Sequence, residues 1–80
     1  MNYELRDTNW NGAPKVKEGD ATKVVVPVIV TTGIVGETYG FIKLDVMIAE
    51  FPISMTGTDM QADTIVQATA FVAATYPNTP

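Results

Sequence analysis

The chain of 80 residues contains no histidine and no cysteine, and its only serine is Ser54. Without histidine, no side chain has an ordinary pKa near neutrality, so a standard general base is missing. Without cysteine there is no thiolate nucleophile, no soft metal ligand and no disulfide, and the redox compartment cannot be read from sequence. Ser54 has no imidazole to activate it. The expectation is a protein without metal or organic cofactor, and not an enzyme.

Charge is scarce as well. Charged residues make up 18% of the chain, against roughly 25% in ordinary soluble domains, and hydrophobic residues make up 46%. A small domain has proportionally more surface to cover with polar groups, so this shortage suggests that part of the surface does not face water. The alternative is that the eleven threonines solubilise the surface without charge. The net charge of −4 argues against nonspecific binding to nucleic acid, which requires a basic surface. Residues 1–23 balance four acids with four bases, whereas from Val24 onward five acids face Lys43 alone.

Long apolar runs are also missing. The stretch Val24 to Val35 is interrupted by Pro27, Thr31, Thr32 and Gly33 and falls short of the roughly 20 residues that span a bilayer. The first fifteen residues are polar and of mixed charge, unlike a signal peptide. A soluble protein is expected, located in a virion if viral and otherwise in the cytoplasm.

What is present reads as one domain in three parts. Residues 1–22 form an N-terminal arm without sustained apolar period, with a short strand over Tyr3 to Arg6 and a loop around Trp10. Residues 23–53 form a β block, in which valine-rich Lys23 to Thr32 and alternating Thr38 to Ile53 are joined by a hairpin connection at Gly33 to Glu37. Val24, Val26, Val28 and Val30 share one face of the first run, and Val25, Pro27, Ile29 and Thr31 the other. In the second run, Ile42, Leu44, Val46 and Ile48 form a clean apolar face, and Phe41, Lys43, Asp45, Met47 and Ala49 a mixed one. Pro27 lacks a ladder donor, which places it on an edge strand or at a bulge.

A helix is predicted over 58–75, with Thr58 and Gln61 as a capping box and a packing stripe of Ile65, Ala68, Val72 and Tyr76. One helix covers one face of a small sheet, so the second face of the valine run awaits the arm or another chain. The expected fold is therefore α+β: a small, mainly antiparallel sheet with an extended N-terminal arm and one C-terminal helix packed on it.

Candidate chemistry is thin. Asp59 and Asp63 lie four apart on the helix, which suits the positive end of its dipole better than a cation. Glu18-Gly19-Asp20 reads as a turn, and no carboxylate pair or phosphate-binding glycine loop stands out. The residues singled out for recognition are Asn9, Trp10 and Asn11, where an indole lies between amides, and the apolar pair Ile34 and Val35 at the predicted hairpin tip. These five are expected to form protein interfaces, with packing of Trp10 on its own core as the alternative.

The functional class most compatible with these features is a structural or interaction protein that acts in a homo-oligomer or larger assembly. A small capsid decoration or cement component of a virus particle is the best example. The runner-up is a small inhibitor that blocks a host protein, and a third reading is a sugar-binding module using Trp10. Neither nucleic acid nor membrane is an expected partner.

Overall fold

The computed structural model describes residues 2–38 and 42–78. Four strands precede one helix: β1 (Tyr3–Trp10), β2 (Lys15–Lys17), β3 (Asp20–Ile34), β4 (Lys43–Pro52) and α1 (Gly57–Thr75). All pairings are antiparallel and all involve β3, which is 15 residues long. One edge of β3 carries β4 from Lys23 to Thr32, and the other carries β2 over its first half and β1 over its second. The expected small antiparallel sheet with a C-terminal helix is the fold observed.

The N-terminal segment is more ordered than an arm. Its strand runs to Trp10 instead of ending at Arg6, because β1 pairs with β3 from Ile34 to Val28. A register shift between Leu5 and Asp7 explains why no single period is visible there. The extra residue, Arg6, puts Tyr3 and Leu5 before the shift on the same face as Thr8 and Trp10 after it.

Pro27 is not on an edge strand; it lies in the middle of β3, opposite Ile48. Its carbonyl accepts a hydrogen bond from the Asn11 backbone N–H at 2.8 Å. A strand residue directs its N and C=O toward the same neighbour. The donorless nitrogen of Pro27 therefore points into the gap between β1 and β2, where no ladder bond is lost. The constraint on proline is satisfied by a break in the neighbouring strand.

The core lies between one sheet face and α1. Val24, Val26, Val28 and Val30 of β3 and Met47, Ala49 and Phe51 of β4 pack against Met60, Ala68 and Val72 of the helix. The helical stripe differs from the expected one. It runs Met60, Thr64, Ala68, Val72, at strict four-residue spacing, while Ile65 and Val66 are exposed. The N-cap is Thr56, not Thr58, and its hydroxyl accepts from the Asp59 N–H at 3.2 Å.

Polar contacts help fix the helix to the sheet. The Gln67 carboxamide meets the outward backbone of Glu50, donating to its carbonyl at 2.9 Å and accepting from its N–H at 3.2 Å, as a neighbouring strand would. At the other end the Tyr76 hydroxyl donates to Asp45 at 2.7 Å, its ring stands 5.0 Å from that of Tyr3, and the Lys43 ammonium lies 5.4 Å from the Tyr76 ring centroid.

Candidate functional site

Among the described residues, no element covers the face of the sheet away from α1. On β4 the face turned toward the helix is the mixed one, Lys43, Asp45, Met47 and Ala49, with Phe41 outside the described residues, and the clean apolar one looks outward. Leu44 is 69%, Val46 63% and Ile48 62% exposed. Ile42, just before the strand, is exposed too. Beside them on β3 stand Val25, Pro27, Ile29 and Thr31, each half-buried. Seven residues on each of two strands, at a rise of about 3.3 Å and a spacing of about 4.8 Å, make the patch roughly 20 Å by 10 Å in plan, and its side chains, more than half exposed on β4, raise the accessible area to about 600 Å². Scattered apolar residues are normal on a surface; a contiguous patch of about 600 Å² lies at the upper end of the range that the largest patch on a monomer covers.

The molecule is also more open than a compact domain of its mass. Its accessible surface is 5200 Å², where a compact monomer of this mass has about 4,700 Å². Its radius of gyration is 13.9 Å, against an expected value of about 12 Å. A two-layer structure with one bare face has this form.

The ends of the open face carry charge of different sign. At the β2 end, the Glu50 carboxylate takes Lys17 at 3.0 Å and Lys23 at 3.1 Å, with Lys15 opposite Val25 and Asp20 opposite Lys17. These hydrogen bonds, Lys17 first, hold the Glu50 carboxyl below its ordinary pKa, and the Glu50 contact raises that of Lys23. At the β1 end stand Glu4, Arg6 and Asp7. Arg6 pairs with Glu4 at 3.3 Å and donates to the carbonyls of Ile34 at 2.7 Å and Glu37 at 2.6 Å. Its side chain crosses Gly33, where a Cβ would collide with the guanidinium. Between these ends, a notch of about 240 Å³ opens where β1 and β2 part, lined by Asn11, Gly12, Lys15, Val25, Pro27 and Ile48.

The residues singled out in the sequence are dispersed. Trp10 belongs to its own core: its ring packs near Phe51 at 6.3 Å between centroids, and its indole N–H donates to the Thr64 hydroxyl at 3.0 Å. Ile34 is buried at the end of β3. Its own domain therefore covers both residues, which removes the reason for assigning them to contacts between molecules. Val35 is exposed in the turn, and Asn9 and Asn11 are exposed at the end of β1, with Asn9 donating to Asp7 at 3.0 Å. The structure does not bring the five together. The larger surface, Ile42, Leu44, Val46 and Ile48, was visible as a clean apolar alternation, but its outward orientation was not.

Among the described residues no group of three or more acids is placed to hold a metal ion. Asp63 is engaged by Gln67 at 2.7 Å, and Asp59 lies in the first turn of α1. No helix among the described residues is long and apolar enough to cross a membrane. No family model, curated protein or solved structure matches the chain.

Proposed function

We propose that this chain is a non-enzymatic interaction protein that works within an assembly through the open face of its sheet. One observation carries the reading: the helix covers the mixed face of β4 and leaves the apolar one bare. Burial of about 600 Å² of largely apolar surface corresponds to roughly 15 kcal/mol gross at 25 cal/mol per Å². Association costs about 4–15 kcal/mol in lost freedom, so the patch suffices for a reversible contact. Its charged members include the pairs Lys17–Glu50, Lys23–Glu50 and Arg6–Glu4, an arrangement suited to contact and not to turnover.

Within that class we place the chain as a small decoration or cement component of a virus particle. The support is compositional: an acidic, threonine-rich, cysteine-free chain with an adhesive face and no evident catalytic set. The experiment is sedimentation of the purified protein, alone and with assembled particles, beside the variant Val46→Lys. Val46 is solvent-exposed, so the variant keeps its fold. Association that the wild type shows and the variant lacks supports the reading. A wild type that neither self-associates nor binds particles through this face overturns it.

A further inference from the structure

Resting on that reading, we infer that the occupant of the open face is a second copy of this chain, stacked face to face with its strands running opposite to those of the first. The argument combines area and charge.

A specific interface buries about 600–1,000 Å² on each partner. The open face supplies about 600 Å² from the apolar strip and its β3 neighbours, and the charged ends add to it. Two such faces packed at the usual inter-sheet distance of about 10 Å would form a sandwich with α1 of each copy outside.

The charges select the orientation. The β2 end of the face carries Lys15, Lys17 and Lys23 against Glu50 and Asp20, the latter opposite Lys17, a net +1. The β1 end carries Glu4 and Asp7 against Arg6, a net −1. A two-fold axis along the strands would place the β2 ends of both copies together and the β1 ends together, opposing like charge. An axis across the strands places each β2 end on the partner's β1 end, so that attraction occurs twice. In that arrangement the strip Leu44, Val46, Ile48 meets its own copy reversed, with Val46 near the axis, and Lys15 at the notch approaches Asp7 of the second copy.

The competing route to self-association is through the free edge of β4. That edge is already capped at Glu50 by the Gln67 carboxamide, which shortens the stretch available for strand pairing.

The test is sedimentation equilibrium on the full chain across a concentration series, with melting recorded alongside. The expected species has twice the 8.6 kDa chain mass. Val46→Lys should abolish it without lowering the melting temperature of dilute protein. Lys15→Glu should weaken the dimer about tenfold, and adding Asp7→Lys should restore it, because each interface contains the pair twice. Failure of the double exchange to restore association, with both single exchanges weakening it, overturns the crossed orientation. A dimer that survives Val46→Lys overturns the face. A wild type that stays monomeric yet binds particles in a Val46-dependent manner overturns the second copy while upholding the adhesive face, and a monomer that binds nothing through this face overturns both.

Discussion

Replacing Thr64 by valine tests whether Trp10 belongs to the monomer. Thr64 is 1% exposed. Its hydroxyl accepts from the Trp10 indole at 3.0 Å and donates to the Met60 carbonyl at 2.7 Å. Valine keeps the shape, loses both bonds and leaves the indole N–H facing apolar side chains. An unpaired buried donor costs about 1–3 kcal/mol, and the methyl recovers a fraction of this by burial, so the net loss should be about 1–2 kcal/mol. For a domain of this size that lowers the melting temperature by roughly 4–16 °C. The assay is urea denaturation followed by far-ultraviolet circular dichroism, with Thr64→Val measured in both the Trp10 and the Trp10→Phe background, in dilute protein so that association does not contribute. Phenylalanine has no N–H to strand, so the Thr64 change should cost about 1 kcal/mol less in that background. Additive losses would refute the bond. A Trp10→Phe variant with undiminished stability but lost association would refute the core assignment and restore Trp10 to an interface.

Val72→Asp should abolish folding, since it places an unpaired charge at a buried position of the stripe; Ile65→Asp should cost under about 0.5 kcal/mol by thermal melting. Thr56→Ala should lower stability by about 1 kcal/mol and Thr58→Ala far less, because Thr56 supplies the cap. The Thr32 hydroxyl is buried with no hydrogen-bond partner among the described residues, so Thr32→Val should raise the midpoint of urea unfolding by an amount equivalent to about 1 kcal/mol. In acid, Glu50 and Asp20 have carboxyls lowered by bonds to Lys17 and to Thr22 respectively; their contribution is present above their ordinary values of 4.5 and 3.8 and is lost as pH falls through the lower folded values. Glu50→Gln should flatten that acid limb in melts recorded from pH 6 to 2. In alkali, the hydroxyl of Tyr76 is raised by its bond to Asp45, so its contribution holds below 10.0 and is lost as pH rises through the folded value; Tyr76→Phe should remove that dependence.

How much of this was legible in the sequence depended on how many residues set each feature. The β block was readable because alternation over β3 and β4 is long, and a one-residue slip would exchange every side chain between faces. The helix was readable from its length and from Pro77 beyond its end. The packing stripe was not, because Ile65 and Val66 outrank Met60 and Thr64 in hydropathy. The sheet nonetheless selects the face bearing Thr64, whose hydroxyl meets both the Trp10 indole and a helical carbonyl. Only a tertiary partner makes a threonine the better core residue there. The strand through Trp10 was hidden by the shift at Arg6, which breaks the period at its midpoint.

The orientation of β4 shows the same physics with a functional consequence. Burial alone would turn Leu44, Val46 and Ile48 toward the helix. The observed choice puts Asp45 within reach of Tyr76, Lys43 beside the Tyr3 and Tyr76 rings, and the small Ala49 and larger Phe51 under α1. Ala49 is fully buried; isoleucine or leucine at that position would hold the helix farther from the sheet and separate Gln67 from the Glu50 backbone. The register that seats α1 closely is therefore the one that sends the aliphatic strip outward. In an isolated domain that strip opposes solubility without supporting the core. On the proposed function, burial against another surface would account for the strip, and the unequal charges at its two ends would give that surface a preferred direction.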